Sequence, residues 1–283
     1  MGAMTAEGSP TGTVQTSRHG SVAVVAIDRP RVRNAVDGPT AAALADTFRV
    51  LDADETVAVV VLTGTGGVFC AGADLHAVSE GRGNRVEADV DEDGPMGPTR
   101  MVMSKPVLAA IEGYAVAGGL ELAIWCDLRI AASDASLGVF CRRWGVPLVD
   151  GGTVRLPRLI GHSHAMDLIL TGREVRADEA LAMGLVNRVV EPGQALDASI
   201  ELGRQLAASP QRCLRSDRRS AIEQWGLDER AALGAEVRSG LEVIRSGETR
   251  EGAARFAGGA GRHGRPLDPS ASDHVDTEGG SGT

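Results

Sequence analysis

Four short stretches in the N-terminal half of the chain are almost continuously apolar. They are VAVVAID at residues 22–28, VAVVVLT at 57–63, VLAAI at 107–111 and LRIAA at 128–132. Such runs are typical of strands that are covered on both faces, as in a parallel sheet. Residues 40–54 carry Leu44, Phe48 and Leu51 at helical spacing, and residues 120–126 also indicate a helix. The pattern predicts an α/β core in which strands and helices alternate.

The pattern changes to helices separated by short breaks from residue 177 onward. Helices are predicted at residues 177–183, 195–208, 210–224, 228–244 and 249–256, with one strand-like piece at 185–190. We therefore predict an α/β core over residues 17–192 and a helical C-terminal segment over 193–267. Residues 1–16 and 268–283 are rich in Gly, Ser, Thr, Asp and Pro, a composition that predicts disordered tails.

Composition and charge narrow the class of protein. The net charge of −9 and the scattered Lys and Arg residues argue against a nucleic-acid partner. No apolar run is long enough for membrane insertion or a signal peptide, which predicts a cytoplasmic protein. The four cysteines show no C-x-x-C spacing, a pattern that favours reduced core thiols over a disulfide or zinc framework.

Two glycine-rich stretches each follow an apolar strand. They are GTGGVFCAGADL at residues 64–75 and GYAVAGGLE at 113–121. Glycine lets the backbone approach a ligand closely, and a helix that begins after such a turn presents free N–H groups to an anion. Each stretch alone is consistent with a tight turn or with an oxyanion site, and the spacing of the glycines does not decide between them.

Five segments together resemble the crotonase (enoyl-CoA hydratase/isomerase) superfamily over residues 17–265. They are RPRVRNAV at 29–36, FCAGADL at 69–75, KPVLAAIEGYAVAGGLELAIWCDLRIA at 105–131, GGTVRLPRLIG at 151–161 and LTGREVRADEALAMGLVNRVV at 170–190. The resemblance implies a ClpP-like spiral of ββα units with C-terminal helices used in trimerisation. It also implies an acyl-CoA thioester substrate, a homotrimer or dimer of trimers, and no metal or redox cofactor.

The resemblance assigns two kinds of binding residue. The backbone N–H groups of Ala73 and Gly118 correspond to an oxyanion hole for the thioester oxygen. Coenzyme A would contact Arg31, Arg33, Ala35, Ala71, Gly72, Asp74, Leu75, His76 and Phe256. Three of these positions have a simpler alternative, since Arg31 and Arg33 are also consistent with solvated surface charges and Phe256 with a helical core residue.

One catalytic carboxylate of the hydratases is retained and one is missing. Glu121 stands at the position of the first glutamate, whereas Cys141 stands where the second is expected. Cys141 could itself exchange a proton, or Asp150 could act as the second acid/base. The alternative for Asp150 is to cap the helix that follows it. Arg142 and Arg143 are candidates to pair with Asp150 or to contact polar acyl groups.

Three functions follow from these residues. The first is an enoyl-CoA hydratase-like lyase or isomerase with Glu121 as principal acid or base. The second is a non-catalytic acyl-CoA binding protein that lost turnover with the second glutamate. The third is a crotonase-fold enzyme of another chemistry, such as isomerisation, dehalogenation, decarboxylation or C–C hydrolysis, because the superfamily specifies enolate stabilisation better than it specifies the reaction.

Overall fold

The computed structural model describes residues 12–259. The strands are β1 (Val14–His19), β2 (Val22–Ile27), β3 (Val59–Gly64), β4 (Val107–Ile111), β5 (Tyr114–Val116), β6 (Leu128–Ala132), β7 (Ser136–Gly138), β8 (Val175–Arg176) and β9 (Arg188–Val190). The α-helices are α1 (Gly38–Ala53), α2 (Leu75–Ser79), α3 (Gly118–Trp125), α4 (Gly152–Thr171), α5 (Ala177–Ala182), α6 (Ala195–Ala207), α7 (Gln211–Glu223), α8 (Glu229–Ser246) and α9 (Glu248–Ala257). Short 3-10 helices include Pro98–Arg100 and Phe140–Trp144.

Two sheets form the α/β unit, which the contacts delimit at Gly203. One has the strand order β1-β2-β3-β4-β6-β9 and is parallel except for the β1–β2 hairpin. The other has the order β5-β7-β8, with β5 and β7 parallel and β7 and β8 antiparallel. The four predicted strands are the central ones of the larger sheet, and β3 and β4 are buried along almost their full length. The predicted α/β architecture is confirmed.

Helix α1 shows how the apolar spacing is used. The Asp37 carboxylate accepts a hydrogen bond of 3.0 Å from the Thr40 N–H and caps the N-terminus of the helix. Leu44, Phe48 and Leu51, which predicted the buried face, are all buried. The ring of Phe48 meets that of Trp125 at the end of α3 in an edge-to-face contact, with 5.0 Å between centroids. The helix thereby packs beside α3, which carries part of the site described below.

Two predicted boundaries differ from the structure. Residues 14–16, assigned to a disordered tail, begin β1, because their backbone pairs with β2 from Val14↔Ile27 onward. The division between the two units falls at Gly203/Arg204 and not at 192/193, since α6 up to Gly203 belongs to the α/β unit and buries side chains there. There a Cβ added to Gly203 would lie 3.1 Å from Val22. Residues 1–11 and the predicted tail at 268–283 lie outside the described residues.

The second unit is helical, as predicted, and its described part ends at Gly259. Helix α7 packs against α8, and α8 against α9. Several large apolar side chains of this unit are exposed: Ile222, Trp225, Leu227, Leu233, Val237, Leu241 and Ile244.

Cys213 on α7 is also exposed, so the prediction of a core thiol is wrong for this cysteine, whereas Cys70, Cys126 and Cys141 are buried. No helix within residues 12–259 is both long and apolar enough to cross a bilayer.

Helix α3 lies in direct contact with the first glycine-rich stretch. A Cβ added to Gly119 would sit 2.1 Å from the carbonyl oxygen of Cys70 and 2.8 Å from its carbonyl carbon. Residue 70 also forms a parallel bridge with Ala115 just before α3. A glycine is therefore required at 119 for the two stretches to approach each other this closely.

We expect Gly119→Ala to lower the free energy of unfolding by more than about 2 kcal/mol, because backbone atoms must move to admit the methyl group. Gly38→Ala is the matched control, since a Cβ at residue 38 meets nothing within 4 Å. Denaturant unfolding of both variants measures the difference. Equal stabilities for the two variants would contradict this account of the α3 contact.

Candidate active site

A mostly apolar cavity of about 490 Å³ opens beside the N-terminus of α3. Its lining includes the polar residues Asn84, Glu121, Cys141 and Asp150, of which the last three can exchange a proton, and the backbone at Ala73 and Gly118 lines the same space. Apolar side chains form most of the remaining wall: Leu75, Val78, Val86, Met96, Val116, Phe140, Trp144, Val146, Pro147 and Val149. The structure therefore brings together residues that are far apart in the chain, and surrounds them with a surface suited to an apolar group.

Two backbone N–H groups at the cavity have no hydrogen-bond partner within the described chain. At Ala73 the parallel bridge with Val36 uses the carbonyl oxygen of Gly72 and the N–H of Asp74, which leaves the Ala73 N–H unpaired. Gly118 is the first residue of α3, where a helix has no internal acceptor for the N–H. A Cβ added to Gly72 would lie 3.0 Å from the Gly118 nitrogen, so the two segments are in contact.

The turn that orients the Gly118 N–H is held by an unusual backbone conformation. Ala117 has φ 54° and ψ −125°, a left-handed conformation that a residue with a Cβ rarely adopts. Its N–H donates to the carbonyl of Gly138 at 2.9 Å, and its carbonyl accepts from Leu120 at 3.0 Å. These bonds fix the peptide between Ala117 and Gly118, and with it the direction of the unpaired N–H.

Glu121 is 3% exposed and lies in the first turn of α3. Its Oε1 accepts hydrogen bonds from the Asp150 N–H at 2.9 Å and the Gly152 N–H at 2.8 Å, at the N-terminus of α4. Burial and the nearby Asp150 carboxylate raise the pKa of Glu121 to about 7, although the two N–H donors and Arg155 oppose the shift. Near neutral pH this carboxyl group is therefore available both as an acid and as a base.

Asp150 is also 3% exposed, and its carboxylate is held at one oxygen. Oδ1 accepts from the Met96 N–H at 2.9 Å and from the Thr99 hydroxyl, whereas Oδ2 has no hydrogen bond within residues 12–259. Burial raises the pKa of Asp150 above its ordinary value, against the effect of these two donors. The alternative role as a helix cap is wrong, because the α4 N-terminus has no side-chain cap from Asp150 and its Gly152 N–H donates to Glu121.

Cys141 lines the same cavity from the 3-10 helix Phe140–Trp144. Burial, with the negative charge of Glu121, raises the pKa of the Cys141 thiol. The thiol thus stays protonated near neutral pH and is a poor base. Within residues 12–259, Arg142 and Arg143 do not pair with Asp150, because these side chains donate to the carbonyls of Ile169 and Gly172 at the end of α4. Their other expected role, contact with polar acyl groups, stays a prediction.

The segment at residues 71–75 alternates between the cavity and the protein interior. Ala71, Ala73 and Leu75 line the cavity. Asp74 points away from it and accepts from the His76 and Ala77 N–H groups, which caps α2. Burial opposes ionisation of Asp74, but the Ala77 N–H and an ion pair with Arg29 hold its pKa below the ordinary value. The structure thus gives Asp74 a structural role beside its predicted CoA contact.

The other residues predicted to contact CoA differ in their exposure to solvent and in the unit that carries them. Arg31, Arg33 and His76 are exposed, and the Arg33 guanidinium lies 5.5 Å from the ring centroid of Tyr114. Ala35 is buried beside the Val36–Ala73 bridge. Phe256 is 61% exposed on α9 in the second unit, which contradicts its alternative as a core residue.

Three residues around Asp150 were not predicted from the sequence. Met96 and Thr99 donate to the carboxylate, and the Arg155 guanidinium donates to the carbonyls of Asp150 and Thr99 at 2.8 and 2.6 Å. Arg155 lies within the matching segment at 151–161, in the first turn of α4 and five residues after Asp150, and this nearness in sequence is the one signal that links it to the site. Thr99 gives no signal in the sequence, because only the fold brings residue 99 to residue 150.

The fold and this site define a member of a known enzyme family. The family model "Enoyl-CoA hydratase/isomerase" matches residues 17–259. The chain is 34% identical over 260 residues to enoyl-CoA hydratase EchA19 of Mycobacterium tuberculosis, covering 89% of this chain and 96% of that protein. It is 35% identical over 240 residues to carnitinyl-CoA dehydratase of Salmonella arizonae, covering 84% and 88%.

Solved structures agree with the sequence comparison. The crystal structure of enoyl-CoA hydratase EchA1 from Mycobacterium marinum has a TM-score of 0.82 and 36% identity, and covers 91% of this chain and 98% of that one. That of an enoyl-CoA hydratase from M. tuberculosis has a TM-score of 0.82 and 37% identity, with 87% and 96% covered. The protein belongs to the enoyl-CoA hydratase/isomerase family and has the crotonase fold. The resemblance found in the sequence is confirmed.

We expect Glu121→Gln to stabilise the protein more at pH 8 than at pH 5. The folded-state pKa of about 7 lies above the ordinary value of 4.5, so folding takes up a proton between these values and stability falls as the pH rises through them. Glutamine cannot ionise, and the advantage of the variant should grow by about 2 kcal/mol. Denaturant unfolding at both pH values measures this change.

Glu55→Gln is the control for removing one negative charge, because Glu55 is exposed on the surface of the same unit. An advantage of Glu121→Gln that is the same at pH 5 and pH 8 would show that burial does not raise the pKa of Glu121.

Proposed function

We propose that the enzyme hydrates the double bond of a 2-enoyl-CoA thioester, with Glu121 and Asp150 as its two acid/base groups. The observation that carries this proposal is the pair of buried carboxyl groups on one cavity, joined by the hydrogen bond from the Asp150 N–H to Glu121. Addition of water needs one group to activate the water and another to deliver a proton to Cα. The pair supplies both functions although the second glutamate is replaced by Cys141.

The backbone N–H groups of Ala73 and Gly118 would form the oxyanion hole. Neither has a hydrogen-bond partner within residues 12–259, and both border the cavity, next to the carboxyl pair. The α3 dipole adds a partial positive charge at Gly118. Two fixed donors of this kind favour the enolate over the thioester carbonyl, since the oxygen gains charge as the reaction proceeds.

The two carboxyl groups would have different roles. The charge of Asp150 is among the causes that raise the pKa of Glu121, so the pair favours ionised Asp150 beside protonated Glu121 near neutral pH. Asp150 then removes a proton from water as its oxygen bonds to Cβ, and Glu121 gives its proton to Cα of the enolate. Transfer of the proton from Asp150 to Glu121 restores the starting state.

The apolar wall of the cavity favours an acyl group as the part of the substrate that binds there. The segment at residues 71–75, which lines the same cavity, favours CoA binding next to the acyl group. The remaining CoA contacts proposed in the α/β unit are Arg31, Arg33, Ala35 and His76. The contact predicted for Phe256, in the second unit, stays a separate prediction. Both proton transfers are carried by carboxyl groups, so the proposed reaction requires no metal or redox cofactor. A non-catalytic acyl-CoA binding protein would not need two buried carboxyl groups of raised pKa in the cavity.

The direct test incubates the purified protein with crotonyl-CoA in ¹⁸O-labelled water and follows the thioester by mass spectrometry. Gain of one labelled water is the expected result. The same assay is run with a panel of longer and branched enoyl-CoAs. If crotonyl-CoA and the panel bind but give no product, hydration is rejected and the non-catalytic binding protein is favoured. A product formed without added water would favour one of the other crotonase-fold reactions.

Variants of the three polar residues should separate their roles. We expect Glu121→Gln to lower kcat by about 10²–10⁴-fold, and Asp150→Asn by at least about 10²-fold, because each removes a proton carrier. Cys141→Ala should leave kcat nearly unchanged, since the protonated thiol transfers no proton. Steady-state kinetics with crotonyl-CoA measure kcat for all three variants. A large loss in Cys141→Ala beside a normal Asp150→Asn would assign the second role to the cysteine instead.

Assembly as a trimer or a dimer of trimers is a further part of the proposal, supported by the exposed apolar side chains on α7 and α8. Multi-angle light scattering should give a mass of three or six chains. Replacing Leu233 and Val237, both exposed on α8, with aspartate should reduce that mass, and a stable wild-type monomer would contradict the assembly.

A further inference from the structure

Asp150 is held by a closed ring of hydrogen bonds that no other carboxylate at the cavity has. The Thr99 hydroxyl donates to Asp150 Oδ1, while the backbone carbonyls of the same two residues both accept from Arg155, at 2.6 and 2.8 Å. Thr99 is therefore joined to Asp150 twice, once directly and once through the guanidinium. A threonine that served only as packing would need neither connection.

The chain before Thr99 is shaped to leave room for this contact. Gly94 and Gly97 exchange two backbone hydrogen bonds, of 3.0 and 2.7 Å, just before the 3-10 helix that carries Thr99. A Cβ added to Gly94 would lie 2.0 Å from the Thr99 hydroxyl oxygen and 2.9 Å from Asp150 Oδ1. Any side chain at residue 94 would thus displace the hydroxyl from the carboxylate.

The two carboxylate oxygens of Asp150 differ in their hydrogen bonds. Oδ1 receives two donors, the Thr99 hydroxyl and the Met96 N–H, whereas Oδ2 receives none within residues 12–259. Because Asp150 lines the cavity, Oδ2 is the oxygen left to contact a ligand there. Without the Thr99 hydroxyl, rotation of the carboxyl group would exchange the two oxygens more easily.

We infer that Thr99, supported by Arg155, is a positioning residue that reserves Asp150 Oδ2 for the proton transfer from water. This inference rests on the proposed function, since it gives Thr99 a role only through Asp150. Thr99 itself is 1% exposed and does not border the cavity.

The charged groups around Asp150 set the direction of the expected pH effect. Glu121 faces it from α3, Arg155 from α4 and Arg100 from the 3-10 helix of Thr99, while Cys141 lies near Glu121. The hydrogen bond from Thr99 lowers the pKa of Asp150 against the effect of burial. Its loss should raise that pKa and move the acid limb of the kcat/KM profile to higher pH.

The test compares Thr99→Val, which keeps the shape but removes the hydroxyl, with Thr99→Ser, which keeps the hydroxyl. With crotonyl-CoA, Thr99→Val should lower kcat by about 10–100-fold with little change in KM, because one hydrogen bond to a charged group is lost. Its acid limb should move to higher pH, and Thr99→Ser should restore both values. Gly94→Ala should shift the acid limb in the same direction as Thr99→Val.

Thr63→Val is the matched control, since Thr63 is a buried threonine whose hydroxyl donates to the Ala110 carbonyl at 3.0 Å in the sheet. It should change neither kcat nor the pH profile. A second readout does not need turnover: ¹³C-carboxylate NMR, with Asp150→Asn to assign the signal, should show a higher midpoint for Asp150 in Thr99→Val.

The outcomes distinguish this inference from the function on which it rests. If Asp150→Asn is impaired while Thr99→Val keeps the wild-type kcat, acid limb and NMR midpoint, the positioning role is wrong and the proposed function stands. If Asp150→Asn has normal turnover, the proposed role of Asp150 fails and the positioning role fails with it. If Thr99→Val does not fold, the Gly94→Ala profile decides, and an unshifted acid limb there rejects the inference.

Discussion

The hydrogen bonds from the start of α4 to Glu121 are the contact on which the rest of the site depends. By accepting from the N–H groups of Asp150 and Gly152, the glutamate joins α3 to α4 and brings residue 150 to the cavity. The same contact places two carboxyl groups in one buried space, where burial raises the pKa of both and the Asp150 charge raises that of Glu121 further. A helix N-terminus that faces a carboxylate favours its charged form, while burial favours the neutral one. The resulting balance holds the pKa of Glu121 at about 7.

This arrangement is supported by backbone positions that tolerate little change. Gly119 allows α3 to touch the carbonyl of Cys70, and Ala117 adopts a left-handed conformation that directs the Gly118 N–H. Strain of this kind persists only where surrounding hydrogen bonds hold it. Here Ala117 donates to the carbonyl of Gly138 and accepts from the N–H of Leu120. The unpaired N–H groups and the carboxyl pair are thus built on the same rigid contact between α3 and its neighbours, so their relative positions are fixed before a ligand binds.

Sequence patterns predicted the central strands well and the short elements poorly. The strands at 107–111 and 128–132 were predicted with their observed bounds, because both faces are buried and the apolar run ends where burial ends. Strands β5, β7 and β8 have three residues or fewer, and partners distant in sequence decide their pairing. Helix α4 was missed as a complete element, since it contains Pro157 and a non-helical Gly161 that interrupt the pattern.

The sequence alone determined the family, the α/β core and the helical C-terminal unit, and it singled out Glu121 as a candidate, because these depend on ordered motifs and on local periodicity. The tertiary structure decided which hydrogen bonds Asp150 makes. From the sequence, a carboxylate before a glycine pair could cap a helix or face a cavity. In the structure Glu121 accepts from the α4 N-terminus, so the Asp150 side chain does not cap that helix. It also decided the environment of Asp150, since Thr99 and Arg155 reach it through space, and contacts between distant residues leave no periodic signal in a single chain.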